Sequence, residues 1–308
     1  MAGQDGFRWI DFRIRPPFES FVPSFYRFPG PLPPKAPGQP PLPAIMYQVF
    51  RDPLPSRDER SFDLFLEDMD EARVAVAVVT GRQDPATLPP GSPPEDGVLN
   101  TDVVELVRRH PDRFVGIGGV DTSNPDRALD AIKGFRQMGL VGVALDNGQC
   151  SPPRRNDDGA LDGIYDYCDQ EGMLVSLNGS FVLAPDLSYI EPVQVQRVAL
   201  RFPSLKILVA HACWPWVLPM CAVALQCPNV HLMPDLYPGL PGQEGYFEAM
   251  RFGVEDQMLF ATSYPAMSLQ SASDVVRGLA PADDSQFHER MYANAARLLG
   301  LDRESASD

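Results

Sequence analysis

Eight short apolar runs, several dominated by β-branched residues, recur along this 308-residue chain with helical segments between them. They are Trp9–Arg15, Val74–Val79, Phe114–Val120, Val141–Leu145, Met173–Leu177, Leu205–Ala210, Val230–Met233 and Met258–Ala261. A run such as Val74-Ala75-Val76-Ala77-Val78-Val79 is apolar on both faces, which suits a parallel strand covered on both sides. The intervening segments 62–73, 101–110, 127–138, 161–170, 193–201, 216–226 and 245–253 read as helices, and a last helix is expected over 284–299. In the first of these, Phe62, Leu64, Phe65, Met69 and Ala72 form the apolar positions. Strand and helix in strict alternation predict a parallel sheet with helical crossovers. Eight such units in this length predict an α/β fold, a (β/α)8 TIM barrel. A doubly wound open sheet is the competing architecture, but no GxGxxG follows a strand, so a dinucleotide site has no support.

The chain carries 26 basic and 41 acidic residues, a formal net charge of −15. Such a surface repels phosphate backbones and anionic membranes, which argues against nucleic-acid and membrane partners. Any anion site must therefore be basic against the global field. The five cysteines are irregularly spaced without a CxxC pair, the first six residues lack an apolar signal core, and no run is long enough to span a bilayer. A cytoplasmic location is expected. The chain reads as one barrel domain, residues 1–308, with a polar flexible tail at 302–308. Residues 16–57 form a Pro-rich insertion after the first strand, carrying Phe18, Phe21, Phe25, Tyr26, Phe28, Tyr47 and Phe50. That aromatic content suits an ordered lid over the first strand end, or a contact between copies in a homo-oligomer.

In a barrel of this kind chemistry collects at the C-terminal strand ends. Here those ends carry Arg13 and Arg15, Thr80 with Arg82, Asp121, Asp146 with Asn147, Asn178, His211 with Trp214, Asp235 with Tyr237, and Ser263 with Tyr264. Period-2 alternation puts Asp11, Arg13 and Arg15 on one face of the first strand and Phe12 and Ile14 on the other, before Pro16 and Pro17 end it. Two guanidinium groups on one face need an anion opposite them. It is either an acidic side chain, with Asp11, Asp146 and Asp235 as the candidates, or a ligand.

Leu205-Lys206-Ile207-Leu208-Val209-Ala210-His211 resembles the sixth strand of the amidohydrolase-related family, barrel hydrolases and decarboxylases of the aminocarboxymuconate-semialdehyde decarboxylase type. His110-Pro111-Asp112-Arg113-Phe114-Val115-Gly116 resembles its third-strand entry, and Gly139-Leu140-Val141-Gly142-Val143-Ala144 its fourth strand. Cys227-Pro228-Asn229-Val230-His231-Leu232 resembles the seventh, Phe260-Ala261-Thr262-Ser263-Tyr264-Pro265 the eighth, and Asn294 to Leu301 the C-terminal helix. The resemblance implies a divalent cation held by a His-x-His pair on strand 1, a histidine on strand 5, sometimes one on strand 6, and an aspartate on strand 8. At the matching positions this chain has Arg13 and Arg15, Asn178, His211 and Ser263, so only His211 is kept. Arginine stays protonated and offers no lone pair, so neither a metal nor another cofactor is expected.

The expected enzyme is therefore a metal-independent member of that family, acting on a small carboxylated substrate, cyclic or aromatic. The reaction would be hydrolysis of an ester, lactone or amide, or decarboxylation. Arg13 and Arg15 would replace the metal and clamp the anion; His211 would move the proton, with Asp235 orienting it or acting as base. Ser263 sits beside them, but no Gly-x-Ser-x-Gly surrounds it to mark a nucleophile. Asn178, Arg82, Trp214 and Tyr264 are expected to contact substrate. Cys213 and Trp216 are read as packing. The alternatives are a non-catalytic barrel that binds a small organic acid as sensor or partner subunit, and a hydrolase keeping a weak metal site through His211 with Asp11 or Asp235.

Overall fold

The computed structural model describes residues 7–26, 53–85, 87–88, 97–235, 237, 239–280 and 286–301. Most of the 16–57 insertion and the whole 302–308 tail lie outside the described residues. Seven parallel strands stand in sequence order around a nearly closed barrel. They are β1 (Trp9–Ile14), β2 (Val74–Thr80), β3 (Phe114–Val120), β4 (Gly142–Leu145), β5 (Leu174–Asn178), β6 (Lys206–Ala210) and β7 (Val230–Met233). The crossovers are helical: α3 (Phe62–Glu71), α4 (Asn100–Arg109), α5 (Pro125–Ile132), α6 (Asp162–Gln170), α7 (Pro192–Arg201), α8 (Val217–Gln226) and α9 (Glu244–Ala249). Two short helices, α1 (Phe21–Phe25) and α2 (Pro55–Asp58), lie in the described ends of the insertion. Side-chain oxygens cap several N-termini, as when Ser61 accepts a hydrogen bond from the Leu64 amide at 3.2 Å. No helix among the described residues is long and apolar enough to cross a membrane.

The eighth run departs from expectation. Residues 258–264 form no regular ladder; they meet β7 and β1 through isolated bridges, Leu232 to Met258 and Ile14 to Tyr264. Backbone hydrogen bonds complete the seam: Leu259 N to Leu232 O at 3.0 Å, Phe12 N to Phe260 O at 2.9 Å, and Ser263 N to Arg13 O at 3.0 Å. Ser263 itself has φ 58°, which breaks the extended run. A further helix follows, α10 (Leu269–Leu279), and then α11 (Phe287–Leu299) closes the described fold. No helix is expected from the sequence over 269–279. Its buried positions Leu269, Ala272, Ser273 and Val276 keep helical spacing and give it a distinct buried face, although two of the four are small or polar.

The core has two parts. Ile10, Phe12, Val78, Ile117, Leu174, Leu208, Met233 and Leu259 fill the barrel interior. Ile14, Val79, Phe65, Phe114, Val143 and Tyr264 belong to the larger layer between strands and helices. Phe12 and Ile14 thus sit on opposite sides of β1, which contradicts the simple alternation. The register of β1 on β2 shifts between Asp11 and Ile14, the mark of a local irregularity that inserts a residue. Asp11 fixes this kink: its carboxylate accepts hydrogen bonds from the Arg13 amide at 2.9 Å, the Thr262 amide at 3.2 Å and the Thr262 hydroxyl at 2.6 Å. The kink turns Arg13 into the barrel mouth, and it commits the Asp11 carboxylate to the seam rather than to either guanidinium.

Candidate active site

The Arg13 guanidinium is the centre of the mouth. Its Nη1 lies 2.7 Å from His211 Nε2, 2.6 Å from Ser263 Oγ and 3.3 Å from Asp235 Oδ2. These acceptors come from three successive barrel elements, so one nitrogen of β1 gathers the ends of β6, β7 and the eighth segment. All four side chains are buried. Asp235 also accepts the Ser263 hydroxyl on Oδ2 and the His211 amide on Oδ1, the latter at 2.6 Å. Burial alone would raise the Asp235 pKa; His211, Arg13 and the Ser263 hydroxyl outweigh it and hold the carboxyl well below the usual range.

His211 reaches this centre through an unusual turn. His211, Ala212 and Cys213 all have positive φ, at 62°, 44° and 58°. Left-handed backbone costs roughly 1–2 kcal/mol for each L-residue, so this turn is held by its surroundings. Gly179 leaves it room: a Cβ there would stand 2.8 Å from Ala210 O, 2.8 Å from Cys213 N and 2.9 Å from Cys213 Sγ. Cys213 packs as expected, its thiol pushed up to about 12 by burial.

The contacts fix the protonation of the imidazole. A guanidinium only donates, so His211 Nε2 must present its lone pair to Arg13. The proton then sits on Nδ1, which lies 3.2 Å from Asp235 Oδ1 but out of hydrogen-bond alignment with it. Burial lowers the His211 pKa, Asp235 opposes the fall, and Arg13 and Arg15 add to it. The result is a neutral imidazole with its basic nitrogen held in check by Arg13. Among the described residues no hydrogen bond joins Ser263 to His211. Ser263 gives its proton to Asp235, so the group is not a Ser-His-Asp relay.

Arg15 stands apart from this cluster. It is 6% exposed, and among the described residues no carboxylate lies within ion-pair distance and its Nε has no hydrogen-bond partner. Its guanidinium carbon lies 4.5 Å from the Phe25 ring centroid, and that of Arg82 lies 5.6 Å from the same ring. Arg82 Nε is 4.0 Å from Asp146 Oδ2, and its Nη2 donates to Gln149. Burial would raise Asp146, yet Arg82, Arg15 and Arg13 together hold its carboxyl below the usual value. Asn178 is already engaged at both ends, donating to Asp146 at 2.6 Å and accepting from the Ser180 amide at 2.8 Å. It therefore shapes the mouth through its neighbours.

Trp214 is only partly buried and lies 5.2 Å from Phe181 and 6.1 Å from Tyr237, centroid to centroid, with Tyr237 in turn 5.4 Å from His211. This aromatic wall includes Tyr237, a strand-end residue two positions beyond Asp235 to which the sequence assigns no role, and Phe181, which lies outside every predicted strand and helix. Tyr264, expected at the mouth, is turned into the outer layer instead. Its ring packs 4.7 Å from Phe65 and its hydroxyl bonds Ser56 at 2.9 Å.

A divalent cation does not fit these residues. The point where donors from β1, β6, β7 and the eighth segment converge is taken by a guanidinium nitrogen, which repels a cation and has no lone pair. Among the described residues no three His, Cys, Asp or Glu side chains are grouped to hold a metal.

The fold and the residues on its strand ends define a barrel of amidohydrolase type. An amidohydrolase family model matches residues 51–301, and the chain belongs to that family. Among solved structures, it is similar to an uncharacterized TIM-barrel protein, Bb4693, from Bordetella bronchiseptica, at 28% identity and a TM-score of 0.80, covering 95% of this chain and 98% of that one. It resembles 2,6-dihydroxybenzoate decarboxylase from Rhizobium in fold, at 16% identity and a TM-score of 0.66, covering 96% and 99% of the two chains. A 5-carboxyvanillate decarboxylase from Novosphingobium aromaticivorans, complexed with manganese and 4-hydroxy-3-methoxy-5-nitrobenzoic acid, shares 15% identity and a TM-score of 0.62, covering 98% of each chain. No curated protein matched the chain.

Proposed function

We propose that this chain is a metal-independent enzyme of the amidohydrolase family, acting on a small carboxylated substrate, cyclic or aromatic, by hydrolysis or decarboxylation. The observation that carries this reading is the convergence of His211, Asp235 and Ser263 on Arg13 Nη1. A fixed positive charge at that point can stabilise an oxyanion as it develops. When a substrate oxygen takes over the Arg13 hydrogen bond, His211 Nε2 is released: in hydrolysis it takes a proton from the attacking water and returns it to the leaving oxygen or nitrogen, and in decarboxylation it takes a proton from solvent and delivers it to the carbon from which carbon dioxide departs. Asp235 then stabilises the imidazolium through Nδ1, and Ser263 keeps Asp235 in place. Arg15 and Arg82 hold the carboxylate, while Trp214, Phe181 and Tyr237 supply an aromatic wall. The aromatic acids named for the structural neighbours favour a substrate of this size and charge.

The test is a turnover screen over aromatic and cyclic acids, lactones and esters, run with and without a strong chelator. Activity is expected to survive chelation and to vanish in His211→Asn. Loss on chelation with recovery on adding manganese would overturn the proposal. One feature favours a non-catalytic, acid-binding barrel instead: the only basic nitrogen of His211 is already occupied by Arg13. That reading predicts acid binding by both wild type and His211→Asn, with no turnover by either.

A further inference from the structure

We infer that Arg15, Arg82 and Phe25 form a seat for one planar monocarboxylate, distinct from the Arg13–His211 centre; this rests on the proposed substrate class and assigns its anion to particular residues. The charged side chains of the mouth can be paired off. Asp235 is committed to Arg13, and Asp146 lies beside Arg82 while bonding Asn178. Arg15 is the mouth cation with no carboxylate within ion-pair distance among the described residues, feeling Asp146 only from further off, and it is more than nine-tenths buried. A buried guanidinium in this state calls for an anion from outside the chain. Its charge calls for one negative charge rather than two.

The shape of the seat selects the anion further. Phe25 lies over Arg15 and Arg82 with one ring; Arg82 Nη2 is taken by Gln149, which leaves the Nη groups of Arg15 and Nη1 of Arg82 without a hydrogen bond among the described residues. Edge donors in a flat fork match the two coplanar oxygens of a carboxylate. The Nε atoms of both arginines are buried without hydrogen-bond partners among the described residues, and that of Arg82 lies beside Asp146, so the donors left for a ligand are the outer Nη groups. Asp146, on the Arg82 side, repels a second negative charge and so disfavours dicarboxylates and phosphate dianion. The remaining lining is aromatic, with Phe25 supplied by α1 at the start of the insertion.

Calorimetric titration with benzoate tests this directly, using isophthalate, inorganic phosphate and benzamide as competitors of other charge or shape. Wild type is expected to bind benzoate in preference to all three. Arg15→Gln and Arg82→Gln should each weaken benzoate roughly 10- to 100-fold, the range for losing a charge-assisted hydrogen bond. Arg15→Lys should fall between, since it keeps charge but loses the fork, and Phe25→Leu should weaken binding several-fold. His211→Asn should retain benzoate within about threefold, which separates this seat from the proton-transfer role. Benzoate binding unchanged in both Arg15→Gln and Arg82→Gln, or tighter binding of phosphate than benzoate, would overturn the assignment. Because Arg82 lies nearer the rim, its variant keeps the test decisive should the Arg15 variants fail to fold.

Discussion

Replacing Arg13 by glutamine removes the cation that three buried groups share. Asp235 is then left in the interior with its carboxylate facing only the Ser263 hydroxyl, the His211 amide and a neutral imidazole. Leaving one partner of a buried pair uncompensated costs about 3–5 kcal/mol. At about 2 °C per kcal/mol for a chain of this length, Arg13→Gln should lower Tm by roughly 6–10 °C near pH 7. The pH dependence carries the sharper test. In the wild type the Asp235 pKa is depressed, so its contribution is complete above the unfolded value of about 3.9 and fades only as pH falls through the lower folded value. In the variant burial is opposed less, the folded pKa rises, and the penalty should shrink as the carboxyl protonates near and below pH 4. Adding Asp235→Asn should recover part of the loss, with a coupling of roughly 1.5–3 kcal/mol in a double-mutant cycle. Denaturant unfolding of the four proteins at pH 4 and pH 7 measures all of this. A cost under 1 kcal/mol at pH 7, or a cost that does not change with pH, would refute the argument that Arg13 neutralises the mouth.

Asp11 carries the opposite sign: burial raises its pKa to about 7, with Thr262 and the Arg13 amide opposing. A raised carboxyl favours the folded state most below the unfolded value, and stability falls as pH rises from about 4 to 7. Asp11→Asn can still accept from both amides, so it should flatten that decline in thermal melts between pH 4 and 7. Gly179→Ala should cost roughly 1–3 kcal/mol by overpacking against the 211–213 turn and should reduce activity along with stability, as unfolding and turnover assays on one preparation would show. Ser263 should not be labelled by a fluorophosphonate, because its hydroxyl donates to a carboxylate held too acidic to take the proton and makes no hydrogen bond to His211 among the described residues; stoichiometric labelling seen by mass spectrometry would restore the nucleophile reading.

Much of the barrel was legible because buried parallel strands announce themselves as unbroken apolar runs; β3 and β7 have the boundaries expected from sequence. The eighth run was legible as extended chain but not as a segment without a ladder, since Ser263 φ is not written in apolar pattern. The gathering of His211, Asp235 and Ser263 at the strand ends was also readable. What failed was the face of β1. Period-2 alternation assumes an unbroken register, and the shift between Asp11 and Ile14 leaves no trace in hydrophobicity. The two arginines therefore looked equivalent, whereas Arg13 is spent on the chain's own groups and Arg15 is not. Tyr264 misled for a related reason: adjacent residues at a strand end point in opposite directions, and only one of Ser263 and Tyr264 can face the mouth.

The Arg13–Ser263 contact joins residues 250 positions apart, and Asp11 meets Thr262 across a gap of 251. The mouth thus lies on the seam where the two ends of the barrel meet, and no shorter stretch of the chain contains it. During synthesis the strands from β1 to β7 can stack in order as they emerge, but the mouth stays incomplete until the eighth segment has left the ribosome. Until then Arg13 has no Ser263 to bond and Asp11 no Thr262. Assembly of the mouth and closure of the barrel are in this sense one event, so an N-terminal fragment can have most of the fold and none of the Arg13 cluster.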